Sequence, residues 1–400
     1  MEYRLRKEVD NAKRAVMGEM FRLAKENLKT GDKLINFASG HPSEEVFSSK
    51  IIKRGMDSAL DEAEKDIFQY GPHAGYMPLR QMLKKFVNER GNIAKPEDDL
   101  MITYGAGEAV SLTLSAFVSQ GDKVIAEVPS YVNAIKAFQI QGAEVIGVPM
   151  EKDGVNLEKL EEAMKQGAKL FYTIPNFSNP SGITTSLQKR KAVYDLAVKY
   201  QVIILEDNVY GELRYRGQRI PDIKEFDVEG IVVYVSSVSK WLVPAMRVGF
   251  MVANKELIKR ILPVKAVSSN GVTAILQYAL LKILEENDIY GHIDQICSLY
   301  AKKILCMKEC MDEYFPEGVR RSDPDGGMYI WATLPEGADA LSFCRELAMQ
   351  LHIAVTPGDE FCMAKAGQCT GMRFNFVKES MEDIRYGIER TGDFMARYLV

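Results

Sequence analysis

Between about residue 98 and residue 253, short apolar runs alternate with segments of helical periodicity, and no other feature constrains the fold of this chain as much. The apolar runs are Leu100–Thr103, Lys123–Glu127, Glu144–Val148, Leu170–Thr173, Val202–Glu206, Ile231–Ser236 and Val248–Ala253. Between them lie Ala109–Val118, Val132–Gln141, Leu157–Gln166 and Leu187–Tyr200, each with apolar residues at helical spacing. Regular strand–helix alternation predicts an α/β sheet covered by helices on both faces. In such sheets ligands bind beyond the carboxyl ends of the strands. Polar residues at those ends therefore carry the first clues to function.

Past residue 254 the pattern changes. Helical stretches dominate to Tyr314, followed by the strand-like Gly327–Thr333, a helix from Asp339, the short strand Ile353–Thr356, and Met372–Phe376. This reads as a smaller α+β domain. A chain of 400 residues suits two domains better than one core. The expected division gives 46–290 to a large α/β domain, and 1–45 with 291–400 to the small one. The connection Asn36–Pro42 is expected to be a flexible turn, where a hinge or a substrate group could lie.

A net charge of −4 argues against a broad electrostatic nucleic-acid footprint. No apolar run is long enough to span a membrane. The N-terminus leads into a charged helical pattern rather than a signal-peptide core, so a cytoplasmic location with reduced thiols is expected. The six cysteines form no CxxC pair and there are only four histidines, so no metal site is expected. Cys306 and Cys310, four apart in a helical pattern, read as packing residues.

Three predicted strand ends carry polar residues: Asn176, Asp207 and Ser237. Around them stand Pro175-Asn-Phe-Ser-Asn179-Pro-Ser-Gly182, Asp207-Asn-Val-Tyr210 and Ser237-Val-Ser239-Lys240, with Arg247 seven positions on. A lysine in a hydroxyl-rich turn, an arginine, an Asp with a Tyr three later and an Asn-Pro turn suit one task. They can hold pyridoxal 5'-phosphate (PLP). That cofactor needs a lysine for its covalent link, an acid at the pyridine nitrogen, a donor at the phenolic oxygen, a phosphate cradle and a ring clamp.

Lys240 is the candidate lysine; alone it would read as a surface residue. Asp207 is the candidate acid. Glu206 competes for the role, but strand alternation sends the two side chains to opposite faces, and Tyr210 favours Asp207. Tyr210 and Asn179 are candidate donors to the phenolic oxygen, although an Asn before Pro is also an ordinary turn residue. Gly105, Ala106 and Gly107 lead from a strand into a helix, where backbone N–H groups attract phosphate. Ser237, Ser239 and Arg247 add hydroxyl donors and a bidentate cation. Tyr131 could stack on the ring. Arg373 sits inside an apolar strand, where an arginine is costly unless paired, and a substrate carboxylate is a suitable partner.

Together these residues resemble the class I/II aminotransferases, the fold-type-I PLP enzymes, from Asn36 to about Phe376. Gly326-Gly-Met-Tyr-Ile-Trp331, Val355-Thr-Pro-Gly358 and Met372-Arg-Phe-Asn-Phe376 look like the branch containing 2-aminoadipate, kynurenine and aromatic aminotransferases. The resemblance implies a large mixed-sheet α/β domain, a smaller α+β domain and a homodimer with shared active sites. It also implies that Tyr70 reaches the partner subunit's phosphate, and that Gly40 and Asn179 lie near the substrate carboxylate. Two departures stand out. Gly105-Ala-Gly-Glu108 replaces the usual Gly-Ser-Gln-Gln, and Gly18 falls where adipate-using members carry an arginine.

The expected activity is transfer of an amino group from an L-amino acid, neutral aromatic or aliphatic by preference, to a 2-oxo acid such as 2-oxoglutarate. A mobile arginine such as Arg14 could admit the dicarboxylic partner. The alternatives are β-elimination of a C–S bond on the same cofactor, and a ligand-sensing regulator body. The latter is disfavoured because about forty residues before the large α/β domain are too few for a winged helix and linker.

Overall fold

The computed structural model describes residues 4–10, 16–26, 28–62, 65–363 and 367–399. Eight strands form one mixed sheet. Across it the order is Asp98–Thr103, Gly249–Asn254, Val232–Ser237, Ile203–Asp207, Leu170–Thr173, Lys123–Val128, Glu144–Glu151 and Gly154–Val155. The five from Val232–Ser237 to Glu144–Glu151 run parallel. Gly249–Asn254 is antiparallel to both its neighbours, and Gly154–Val155 makes an edge hairpin that the apolar pattern is too short to signal.

Side-chain alternation assigns the two faces. Val124, Ala126, Tyr172, Leu205 and Val233 pack with Val110 and Leu114 of helix Gly105–Phe117 and with Phe138 of helix Val132–Gln141. Their neighbours Ile125, Phe171, Ile204 and Val232 pack with Leu160 of helix Leu157–Met164 and Val193 of helix Leu187–Tyr200. Successive strand residues point to opposite sides, so a run buried on both faces must be apolar throughout. The expected α/β sheet covered on both faces is therefore present. Element ends shift: the helix expected from Ala109 starts at Gly105, and the strand expected at Val202–Glu206 is Ile203–Asp207. Cys306 and Cys310 are buried in helix Ile289–Tyr314, as packing residues should be.

A second, four-stranded sheet follows, ordered Arg320–Arg321, Tyr329–Thr333, Gly371–Asn375, Thr356–Pro357, all antiparallel. Ile35–Asn36 pairs in parallel with Ile353–Ala354, and helix Val16–Glu26 packs on helix Ala340–Leu351. The segment read as a flexible turn, 36–42, is instead pinned across the molecule. The Ala38 carbonyl accepts from Arg373 at 2.9 Å, the Ser39 carbonyl from Asn375 at 2.9 Å, and the Gly40 carbonyl from Lys240 at 3.0 Å. Glycine, proline and serine in the sequence suggested freedom, but buried carbonyls must find donors, and these come from three distant residues.

Candidate active site

The carboxyl end of Ile203–Asp207 separates two acids. Glu206 turns to the face of helix Ile223–Phe226, where its two carboxylate oxygens accept the Ile223 and Lys224 N–H groups at 2.8 Å each. Asp207 turns to the other face. Its Oδ2 accepts from the Tyr172 hydroxyl at 2.8 Å, while Oδ1 is buried with no hydrogen-bonding partner. Burial pushes the Asp207 carboxyl up to about 6, against the pull of Tyr172 and Lys240; the Val209 N–H bears on the carboxyl without closing a bond to Oδ1. Tyr172 is itself held well above its ordinary value by burial and by Asp207, so it stays a donor.

Lys240 ends the short turn Val238–Lys240 that follows strand Val232–Ser237. Ser237 caps the turn, accepting the Ser239 N–H at 3.2 Å, and its hydroxyl lies 2.9 Å from that of Ser239. Lys240 is partly buried, with Nζ 3.0 Å from the Gly40 carbonyl and 5.8 Å from the Tyr210 ring centre. Burial lowers its pKa, with Arg373 and Arg247 adding to the effect and Tyr329 and Asp207 opposing it. A neutral amine is thus more accessible than on a surface lysine.

Tyr210 follows Asp207 by one short turn. Its hydroxyl accepts from Asn179 Nδ2 at 3.3 Å, and the Asn179 Oδ1 accepts from Arg373 at 3.0 Å. Arg373 lies on the other sheet, in Gly371–Asn375, and is 1% exposed. Its guanidinium lies 4.2 Å from the Tyr329 ring centre and 5.1 Å from that of Phe361. Asn179 therefore joins the two sheets. Tyr131, at the start of helix Val132–Gln141, is raised in pKa mainly by burial, with Asp207, Tyr329 and Arg373 all close enough to influence it.

Two glycines shape the candidate phosphate cradle. Gly105 has φ +69°, a left-handed conformation, and a side chain there would meet the Arg247 guanidinium at 2.7 Å. A side chain at Gly249 would strike the Gly105 backbone at 2.5 Å. The strand and the helix N-terminus can approach this closely only as glycines, leaving Arg247 beside the first helical N–H groups of Gly105, Ala106 and Gly107. Glu108, the departure from the usual loop, accepts the Tyr104 N–H at 2.7 Å and pairs with the buried Lys265 at 3.0 Å. Its charge is compensated away from the cradle.

Most of the predicted residues therefore converge. Asn176 does not: it ties Arg190, Asp222 and Asn208 together behind the site. Tyr70 is 84% exposed, and among the described residues no recorded hydrogen bond ties its side chain to the site. Sequence reasoning missed Tyr172, Tyr329 and Phe361. Tyr172 sits one strand over from Asp207, beside Leu205 in register, and only that pairing makes it a partner. Tyr329 stood in a motif already singled out, but nothing in its spacing gave it a role.

The fit to PLP rests on Asp207. A buried acceptor with an open lone pair beside a lysine suits a protonated ring nitrogen, and the glycine cradle with Arg247 suits a phosphate. A strand-end site of this composition on this sheet defines a PLP-dependent enzyme. The chain belongs to the aminotransferase class I and II family, whose model matches residues 32–390. It is 35% identical over 372 residues to aromatic-amino-acid aminotransferase 1 of Thermococcus litoralis, covering 92% of this chain and 88% of that one. It is 31% identical over 363 residues to the 2-aminoadipate transaminase of Thermus thermophilus, covering 90% and 89%. The crystal structure of the multiple substrate aminotransferase from Thermococcus profundus superposes with a TM-score of 0.93 at 31% identity, over 99% of this chain and 98% of that one.

Proposed function

We propose that this aminotransferase takes neutral L-amino acids, aromatic or aliphatic, as preferred donors and passes the amino group to a 2-oxo acid such as 2-oxoglutarate. The observation that carries the reading is the line Arg373–Asn179–Tyr210, which ties a buried guanidinium to the hydroxyl of the tyrosine whose ring centre lies 5.8 Å from Lys240 Nζ. Arg373 is the group to hold the substrate α-carboxylate, in bidentate fashion. Asn179 and the Gly40 backbone would border that carboxylate. Lys240 would bond the cofactor, Asp207 would pair with its ring nitrogen, and Tyr210 and Asn179 would donate to its phenolic oxygen. Tyr131 would cover the ring. Gly105, Ala106, Gly107, Ser237, Ser239 and Arg247 would hold the phosphate, with Tyr70 of the partner subunit completing it in a homodimer.

When bound, PLP supplies an electron sink for the bonds at the substrate Cα. Lys240 would be the base that takes the substrate Cα proton on Nζ and the acid that passes it on to the cofactor's C4′. Asp207 stays ionised against a cationic ring nitrogen. Arg373 fixes the substrate so that the Cα–H bond faces Lys240.

The donor preference would follow from Gly18, which stands where the resemblance puts an arginine in adipate-using members. Helix Val16–Glu26 presents Gly18, with nothing within 4 Å of a side chain built there. A distal carboxylate would lack the fixed arginine that adipate-using relatives carry at this position, and a charge left unmatched is costly to bury. Arg14, the mobile candidate, lies outside the described residues. The test is an absorbance scan during addition of phenylalanine, leucine, methionine and 2-aminoadipate to the PLP form. The expected outcome is faster bleaching per unit concentration with the neutral donors. A preference for 2-aminoadipate overturns the selectivity, and release of pyruvate and ammonia from a cysteine-type substrate in place of amino transfer overturns the reaction.

A further inference from the structure

Next in sequence to Phe361, whose ring lies 5.1 Å from the Arg373 guanidinium, begins a pair of thiols that the chemistry above does not use. Cys362 and Cys369 are seven positions apart, in a region with no CxxC spacing, yet their sulfur atoms lie 2.8 Å from each other. Both ends of the intervening loop are fastened. The Phe361 and Cys362 N–H groups each reach the Gly358 carbonyl at 3.0 Å, and Asp359 accepts the Gln368 and Cys369 N–H groups at 3.2 and 3.4 Å. A side chain at Gly358 would strike the Cys369 sulfur at 2.6 Å, so glycine there lets the two strands of the loop close on the pair. The sulfurs need to approach only to about 2.05 Å to bond.

We propose that Cys362 and Cys369 form a hydroperoxide-sensitive disulfide site that reports to the substrate arginine. Cys369 is the attacking sulfur and Cys362 the resolving one. The Cys369 thiolate attacks one peroxide oxygen, the O–O bond breaks, and sulfenic acid and hydroxide result. The Cys362 thiol then displaces water from the sulfenic acid and the S–S bond forms. In sum two thiols and one hydrogen peroxide give one disulfide and two waters, so the peroxide is the oxidant consumed. Sensor cysteines of this type combine thiolate character with a resolving thiol in reach. The hydrogen bond from Cys362 lowers the Cys369 pKa, which supports that order. Cys369 is 8% exposed and Cys362 more so, which favours a small oxidant over a bulky disulfide.

The link to the site runs through Phe361. Its ring stands 5.1 Å from the Arg373 guanidinium and edge-on to Trp331 at 6.0 Å, and its carbonyl accepts the Ser130 N–H at 2.9 Å, next to Tyr131. Glu360 pairs with Lys136 on the helix that Tyr131 begins, at 2.8 Å. Drawing Cys362 toward Cys369 therefore pulls on both walls that flank Arg373.

The experiment treats holoenzyme with hydrogen peroxide and maps its peptides by mass. The expected result is the loss of two hydrogens, in a single peptide link between Cys362 and Cys369, reversed by dithiothreitol. The KM for the amino donor should rise about threefold or more, with kcat changing less. In Cys362→Ser the oxidised sulfur should stop at a sulfenic acid on Cys369, trapped by dimedone; thermal melting of that variant checks its fold. The mass map of the unaltered enzyme needs neither a variant nor turnover, so it stands apart from the transamination reading. Failure to link the two cysteines at peroxide levels that oxidise the exposed Met349 overturns the site. A linked enzyme with unchanged donor KM overturns its connection to Arg373.

Discussion

Glu206 and Asp207 are neighbours on one strand, yet they serve opposite regions of the molecule. Behind the sheet, Glu206 belongs to a closed network. Its oxygens cap a helix, and nearby Arg190 reaches the Pro175 carbonyl, Asn176 and Asp222 at 2.9, 2.7 and 3.3 Å. Asn176 and Asn208 complete the set, with Asn208 donating to Tyr234 at 2.9 Å. In front, Asp207 keeps one oxygen open at comparable burial. Buried polar groups are nearly always satisfied. A closed network therefore signals structure, and an open acceptor beside a lysine and glycine cradle signals a ligand.

The largest effect that can break this contrast is at Lys240. Lys240→Ala should keep its fold but lose at least about a thousandfold in turnover, and borohydride should no longer fix cofactor to the chain. If Tyr70 serves the partner's site, mixing this variant with inactive Tyr70→Ala chains should restore one working site per hybrid dimer. Fixation of the cofactor in Lys240→Ala, or an active species sedimenting as a monomer, contradicts the assignment.

The second test sets the two acids against each other. Asp207→Asn should still load cofactor through Lys240, more weakly than wild type, but lose about a hundredfold or more in single-turnover proton transfer, because the ring becomes a weaker sink. Glu206→Ala should do the reverse. It strands two buried N–H groups and should cost about 1–3 kcal/mol in thermal unfolding, while cofactor-loaded turnover stays within about fivefold. Exchanged phenotypes would invert the comparison of the two faces.

A smaller effect is expected from pH. With its carboxyl pushed up to about 6, Asp207 becomes neutral as pH falls through that value and can no longer pair with a ring cation. Cofactor affinity, measured by retention on dialysis, should fall about tenfold per unit below pH 6. In the cofactor-free chain the sign is opposite. A raised carboxyl pKa means the fold carries a growing cost as pH rises from the unfolded value of about 4 through 6, which Asp207→Asn removes. Equal pH profiles for wild type and Asp207→Asn would dissociate Asp207 from both effects.

Much of the fold was legible because it follows from local periodicity. Strands buried on both faces must be apolar throughout, and the helices between them must carry an apolar stripe, so the alternation from Leu100 to Ala253 announced the sheet. The edge strand Gly154–Val155 was not legible, since two residues make no period. Among candidate site residues, Lys240, Asp207 and Asn179 were singled out because each stands at a strand end or turn in a motif, and the structure gathers them at one place. Even the choice of Asp207 over Glu206 followed from strand alternation plus one tyrosine. Tyr172 could not be read: it looks like any core aromatic until strand pairing sets its hydroxyl 2.8 Å from Asp207.

The sequence by itself thus determined the layering of the sheet, the strand ends where chemistry gathers and the residue types a PLP enzyme requires. Only the tertiary structure decided which carbonyl each buried donor meets. Arg373 and Asn179 are 194 positions apart and Lys240 and Gly40 are 200 apart. No local pattern encodes such pairs, because they arise when two sheets dock and every buried polar group must find a partner across the seam. The same docking turned the supposed flexible turn 36–42 into a strap across the site.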